Sequence, residues 1–501
     1  MTRIILATLS IATMSWSCAT PTSRLTAAQL KTLTRAGDGF GYRFTNLGDG
    51  RDENQLFVCL SFSGGGTRAA ALAYGTMIAL RQTPIDWPRH ETLLDEVDCI
   101  SSVSGGSFTA AYYGLFRDEL FSRFETDFLY KDIQGGLLLQ LLYPWNWPRL
   151  ASPYYSRIDL AGNFYDDRVF DHKTYQDLHT RRPFIILNAT DIGRGTRFPF
   201  TQNQFDLIGS DLSPYPVARA VAASSAFPFL LSPLTLENYQ PVDDYKAPTA
   251  YRLDLSDYYS NRSAYFWAQG ELKYVDEPLP YVHLMDGGLG DNIGLRSIID
   301  AYEQTNGCIY RNLPEMKRLV IIAVNARTQS TDTISNHHHT PHIIPSVALA
   351  TATVSMDNYS LDTVDITNQL MAYLEQAEAI SRQAPGTPLR APVPYVTEIG
   401  FEAIPNKRAR EAFLSIGTSF HLPREQVKAL IYMGCSLLKR DPTFLCLLDN
   451  IERNAKNNAS DSRCTVANSN LHPTGAEHIV CPDPGTWPPA LVAFNPDAPS
   501  P

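Results

Sequence analysis

The sequence predicts an α/β fold: a central, mostly parallel sheet with helices on both faces, joined to a helical C-terminal region. Three observations predict it. Short apolar runs with strand character alternate with helical stretches over the first two thirds of the chain, the pattern of a parallel sheet covered on both sides. Twice, at Gly64–Gly66 and at Ser104–Gly106, such a run ends in a tight glycine turn that opens a helix. Finally, 501 residues with 44% hydrophobic and 19% charged side chains suit a globular chain with one large domain and a smaller appendage.

Residues 1–19 read as an export signal: a short start led by Arg3, an apolar stretch from Ile4 to Met14, and small residues from Ser15 to Ala19. Cys18 stands where a bacterial lipoprotein carries its lipid, although Ser15 replaces the aliphatic residue usual three places earlier. Lipidation at Cys18 and ordinary cleavage both remain open. Export to the cell envelope, as an outer-membrane lipoprotein, or secretion is the expected location. Residues 20–50 form an N-terminal extension. The catalytic domain is expected at 51–328, with strands at Gln55–Phe62, Val97–Val103, Pro183–Ala189, Val282–Met285 and Arg318–Val324. Helices are expected at Ala69–Leu80, Phe108–Phe116, Val217–Ser225 and Asn292–Tyr302. A tyrosine-rich segment, 237–280, reads as an insertion of loops and hairpins. Helices at Ser346–Gln383 and Arg424–Lys439 define the C-terminal region, 329–457, and a polar, proline-rich tail occupies 458–501.

Composition excludes some functions. A net charge of −10 without a cluster of Lys and Arg argues against nucleic acid as partner. No CxxC or HExxH spacing occurs, and the histidines at 337, 338, 339 and 342 read as a solvated loop, so neither metal nor cofactor is expected. Cys464 and Cys481 are the expected disulfide pair, while Cys59 and Cys99, in apolar strand-like runs, read as buried thiols.

The chemistry gathers at three turns. Ser104, between a strand and a helix, is placed as a nucleophile elbow places its serine, and Gly105 and Gly106 meet the demand for small neighbours. Three glycines at 64–66 leave backbone N–H groups free to converge on an oxyanion. A phosphate loop would need GxxxxGK, and this turn has no lysine. Asp286, followed by Gly287 and Gly288 at the end of another apolar run, supplies a carboxylate to accept the serine proton. All three turns are expected at the carboxyl ends of strands. A Ser/His/Asp triad is the alternative, through His283 or the 337–342 histidines, but His283 lies three positions before Asp286 and alternation points it to the other face.

In this order GGGTR, a serine elbow about 40 residues later and a distant DGG resemble the patatin-like phospholipases. The resemblance covers roughly Leu56–Asn325 and includes ASSAFP at 223–228, NATD at 188–191, and Asp291, Asn292 and Gly294. It implies a three-layer patatin-like sandwich and a Ser/Asp dyad without histidine. It puts the nucleophile on Ser104, the base on Asp286 and the oxyanion hole on Gly64, Gly65 and Gly66, with Arg68 beginning the next helix. Ser102 stands where the family has glycine. The implied activity is hydrolysis of fatty acyl esters of phospholipids or lysophospholipids through an acyl-enzyme, with contact to a membrane surface. A catalytically silent lipid-binding protein and an acyltransferase on the same fold are the alternatives. The apolar segment Leu137–Leu142 with Tyr143, Trp145 and Trp147 reads equally as acyl pocket, lipid-contacting surface or core helix.

Overall fold

The computed structural model describes residues 23–24, 40–47, 56–303 (save 88, 89, 153, 154, 179, 180, 229, 241–244, 257 and 261), 309, 316–329, 344–383, 392–457, 461, 464, 471–485 and 487. The expected export signal, Cys18, most of the N-terminal extension, the histidines at 337–342 and most of the tail lie outside the described residues.

Eight strands make the central sheet: β1 (Phe57–Phe62), β2 (Val97–Val103), β3 (Phe184–Asp191), β4 (Thr196–Pro199), β5 (Leu234–Glu237), β6 (Tyr281–Asp286), β7 (Arg318–Asn325) and β8 (Val393–Gly400). Their order is β8–β7–β1–β2–β3–β6–β5, with β4 paired to β3. The five strands from β8 to β3 are parallel, and every residue of β1, β2, β3 and β7 is buried. Continuous apolar runs follow from that, because helices cover both faces.

The helices that matter for the site are α1 (Thr67–Gln82), α2 (Gly105–Phe116), α3 (Ile133–Leu142), α4 (Arg157–Tyr165), α5 (Val217–Ser224), α6 (Thr249–Asp254), α7 (Arg262–Asp276), α8 (Arg296–Glu303), α9 (Ile344–Gln383), α10 (Lys407–Leu414), α11 (Arg424–Arg440) and α12 (Pro442–Asn457). Helix α11 lies directly on α1: a Cβ on Gly75 would stand 2.0 Å from the Ile431 carbonyl oxygen, and one on Gly434 2.1 Å from that of Leu72. Only glycine permits backbones to approach so closely.

Three expectations need correction, and the helical C-terminal region needs one addition. Among the described residues of 237–280 the regular structure is mainly the two helices α6 and α7, not a set of hairpins. In α7 the buried Ala264, Ala268 and Leu272 recur every four residues, so packing rather than tyrosine content decides the local structure. The C-terminal region is not purely helical, since β8 extends the catalytic sheet beside β7; Pro394 is tolerated because β8 is an edge strand. Cys464 and Cys481 do not pair with each other; each joins a helix, giving Cys446–Cys464 and Cys435–Cys481. Cys59 and Cys99 are a disulfide, because the pairing of β1 with β2 sets them on one row with Cα atoms 4.7 Å apart. Among the described residues no helix is long and apolar enough to cross a membrane, and no three His, Cys, Asp or Glu side chains are grouped to hold a metal ion.

Candidate active site

At the end of β2 the chain turns so sharply that Ser104 takes φ 49° and ψ −118°. A non-glycine residue holds such a conformation only where its surroundings impose it. Several contacts do so here. The Ser104 N–H donates to Ser224 Oγ at 2.9 Å, and Ser224 Oγ also meets Ser107 Oγ at 2.9 Å. Ser107 Oγ donates to Ser102 Oγ at 3.2 Å, and Ser102 Oγ to the Ile186 carbonyl at 3.3 Å. A chain of hydroxyls thus runs beneath the turn, and Ser102 is part of it. Asn188 reinforces the same turn through its Nδ2, which donates to the Ser102 carbonyl at 3.1 Å and Ser101 Oγ at 2.9 Å.

Asp286 arrives from the opposite direction. β6 is antiparallel to β3, and the register that sets Val103 beside Asn188 sets Asp286 beside Ala189. The strand ends level with β2, so its carboxylate reaches the serine turn although it does not belong to the parallel set expected from sequence. The Asp286 N–H donates to the Ala226 carbonyl and the Gly287 N–H to that of Ser224, both at 3.1 Å. The ASSAFP run therefore ties the aspartate turn to the serine turn. Asp286 is 1% exposed. Burial raises its pKa to about 7, against the opposing pull of the Gly288 N–H and the Ser104 hydroxyl. The Gly288 N–H donates to Oδ1 at 2.8 Å, whereas Oδ2 closes no hydrogen bond among the described residues. Ser104 and Asp286 are thus close enough to interact, and Oδ2 remains an acceptor without a hydrogen-bond partner among the described residues.

The glycine loop splits its donors. Gly64 N–H is consumed by the Asn292 carbonyl at 2.9 Å, and Thr67 N–H by that of Ser419 at 2.8 Å. Those of Gly65 and Gly66 meet no acceptor among the described residues. Of the three glycines expected to offer donors, Gly64 has its N–H taken by the Asp291–Gly294 segment, and those of Gly65 and Gly66 are left. Gly66 has φ 60°, and a Cβ there would lie 2.3 Å from the Ser419 carbonyl oxygen. Gly105 is held as tightly, its would-be Cβ 2.1 Å from the Gly66 carbonyl oxygen. Gly106 donates to the Ser63 carbonyl at 3.2 Å and so fastens α2 to the end of β1.

Arg68 is 2% exposed and does more than begin α1. Its guanidinium donates to the carbonyls of Ala326 (2.9 Å) and Ile416 and to Thr418 Oγ1 (3.1 Å), fixing the glycine loop to the C-terminal region. Ser419 belongs to that region too, and its hydroxyl donates to Gln134 Oε1 at 2.9 Å. Sequence reasoning missed Ser107, Gln134, Thr418 and Ser419, which no short motif marks; Ser224 lies in the ASSAFP run noted from the sequence, without a role read for it there. His283 is on the solvent side of β6, paired through Nδ1 with Thr235 Oγ1 at 3.0 Å, and takes no part in the site.

A narrow apolar cleft adjoins these turns, lined by Leu137 and Leu141 of α3, Leu160 and Tyr165 of α4, Leu231 and Phe420. Tyr165 connects it to the site, since its phenol is buried close enough to Asp286 for the charge to help burial raise its pKa.

Residues 60–299 match the model of the patatin-like phospholipase family. The chain carries a patatin-like phospholipase domain. The patatin-like domain thus spans the glycine loop, the serine turn and the aspartate turn. None of the curated proteins matches the sequence. Among solved structures, human GIVD cytosolic phospholipase A2 aligns with a TM-score of 0.30 and 13% identity over 59% of this chain. The alignment spans 48% of that protein, about half its length. VipD from Legionella pneumophila aligns with a TM-score of 0.22 and 11% identity over 86% of this chain and 92% of its own.

Proposed function

We propose that this protein hydrolyses fatty acyl esters of phospholipids or lysophospholipids with Ser104 as nucleophile and Asp286 as base. The observation that carries the reading is the strained Ser104 turn beside a buried aspartate whose Oδ2 has no hydrogen-bond partner among the described residues. Ser104 Oγ attacks the ester carbonyl carbon and its proton passes to Asp286 Oδ2. The carbonyl oxygen, now negative, is received by the N–H groups of Gly65 and Gly66, donors typically worth ~100- to ~1000-fold each in rate. Collapse expels the alcohol, which takes the proton from Asp286. Water then attacks the acyl-enzyme and gives a proton to Asp286; collapse releases the fatty acid, and Asp286 returns that proton to Ser104 Oγ, restoring the hydroxyl and the ionised base.

The apolar cleft beside Tyr165 and Phe420 receives the acyl chain. Its free volume is only about 30 Å³, so α3 moves outward when a chain enters. Residues 1–19 direct export, and three disulfides among the described residues suit an oxidising compartment.

Turnover of a chromogenic acyl ester tests the reading. Wild type should cleave it, Ser104→Ala and Asp286→Asn should lose nearly all activity together, as members of one catalytic unit do, and His283→Ala should keep most of it. A folded His283→Ala as inactive as Ser104→Ala would replace the dyad with a histidine-dependent mechanism.

A further inference from the structure

The outer side of α3 carries features that ester hydrolysis does not use. Leu138, Leu139, Leu142, Trp145 and Trp147 are 49–67% exposed, an unusual concentration of large apolar side chains within ten residues. Single exposed apolar residues need no explanation, but a contiguous patch marks a contact surface. Tyr143 stacks on Trp145 with ring centroids 4.5 Å apart, and Trp147 Nε1 donates to the Leu141 carbonyl at 3.0 Å, so the aromatic end of the patch is held in place.

The charge of this segment runs against that of the chain. Residues 131–157 contain Lys131, Arg149 and Arg157 but only one acid, Asp132, in a protein of net charge −10. Beside the patch lies a groove of about 280 Å³. Its floor includes Leu139, Tyr143 and Phe164, and its polar members include Lys131, Arg168 and Asp132. Both cations are exposed. Asp132 is engaged elsewhere, as the cap that accepts the Gly135 N–H at 2.7 Å and as a neighbour of His421 Nδ1 at 3.7 Å. Apolar floor and cationic rim together match an amphiphile with an anionic head. The patch also borders the acyl cleft: Leu138 lines that cleft while Leu139, the next residue, lines the groove.

We propose that the α3 face, residues 131–149 with Arg168, docks on an anionic phospholipid surface and that the Lys131/Arg168 groove takes the headgroup phosphate of a lipid other than the substrate. Trp145, Trp147, Leu139 and Leu142 enter the interface, where aromatic and long apolar side chains are favoured. The cations meet the negative surface potential. Docking sets the mouth of the acyl cleft against the leaflet, so it rests on the hydrolase reading for its purpose but not for its test.

The test uses the full chain carrying Ser104→Ala, which cannot consume the vesicles, in co-sedimentation with phosphatidylcholine vesicles with and without phosphatidylglycerol. The parent should partition more strongly when phosphatidylglycerol is present, and salt should weaken that increment. Adding Lys131→Ala/Arg168→Ala should remove the increment, about tenfold or more for two cations near an anionic surface. Adding Trp145→Ala/Trp147→Ala should lower partition to both vesicles, and Tyr259→Ala, at an exposed aromatic that lines neither the groove nor the cleft, should change nothing. Quenching of tryptophan emission by brominated lipid in the parent protein gives a second readout that needs no surface variant. Equal partition by all variants, loss in Tyr259→Ala as well, or no partition and no quenching with either vesicle would overturn the docking proposal. Ester turnover by wild type stands or falls separately, so the two failures are distinguishable.

Discussion

Replacing Asp286 by asparagine should stabilise the protein while it silences the site. Burial raises the Asp286 pKa from 3.8 to about 7, so in neutral and alkaline solution the folded state holds a charge that the unfolded chain carries with less penalty. Each pKa unit corresponds to ~1.4 kcal/mol, which makes the cost of the ionised side chain about 4 kcal/mol once the pH exceeds the folded pKa. The sign follows from proton counts. Between pH ~4 and ~7 the folded state binds the proton more tightly, so stability is greatest below the unfolded pKa and is lost as pH rises through the folded one. Asparagine keeps the acceptor for Gly288 N–H and presents an NH₂ where Oδ2 had no partner, without any titration. Urea unfolding of both proteins should therefore show no gap near pH 4 and a gap in favour of Asp286→Asn that grows to its full value by pH 8. Other buried acids titrate alike in both proteins and cancel. A gap independent of pH, or a variant less stable at pH 8, would refute the argument that burial dominates at this aspartate.

The remaining expectations concern rate and stability. In wild type the logarithm of kcat/KM for a soluble ester should climb with unit slope below pH about 7 and level off above it, because only ionised Asp286 accepts the serine proton; a flat profile from pH 5 to 8 would exclude Asp286 as the base. Gly66→Ala forces a Cβ onto the Ser419 carbonyl at a φ of 60° and should cost ~1–3 kcal/mol in strain, together with ~100-fold or more in kcat, read by urea unfolding and ester turnover. Glu271→Gln should gain stability progressively between pH ~4.5 and ~8, since burial raises the Glu271 pKa to about 8 against the opposing Gln204 and Arg197; urea unfolding at pH 5 and pH 9 measures the difference.

By itself the sequence determined the fold class and the order of its turns. Those depend on local spacing: apolar runs of strand length, glycines where the chain must turn, and helix formers between them, all readable within windows of ten or so residues. Properties that depend on register and on distant segments were decided only by the tertiary structure. Apolar strands revealed that Cys59 and Cys99 are buried, but the row they share exists only once β1 pairs with β2. The end of β6 marked Asp286, yet the sequence carried no sign that the strand runs antiparallel and stops level with β2. Three glycines looked equivalent until Asn292 claimed the N–H of Gly64. Thr418 and Ser419, some 350 residues beyond the glycine loop in sequence, brace it through Arg68 and Gly66. Hydrogen bonds between segments so far apart leave no periodicity in the chain, because they are chosen by the packing of the sheet and helices and not by the residues on either side.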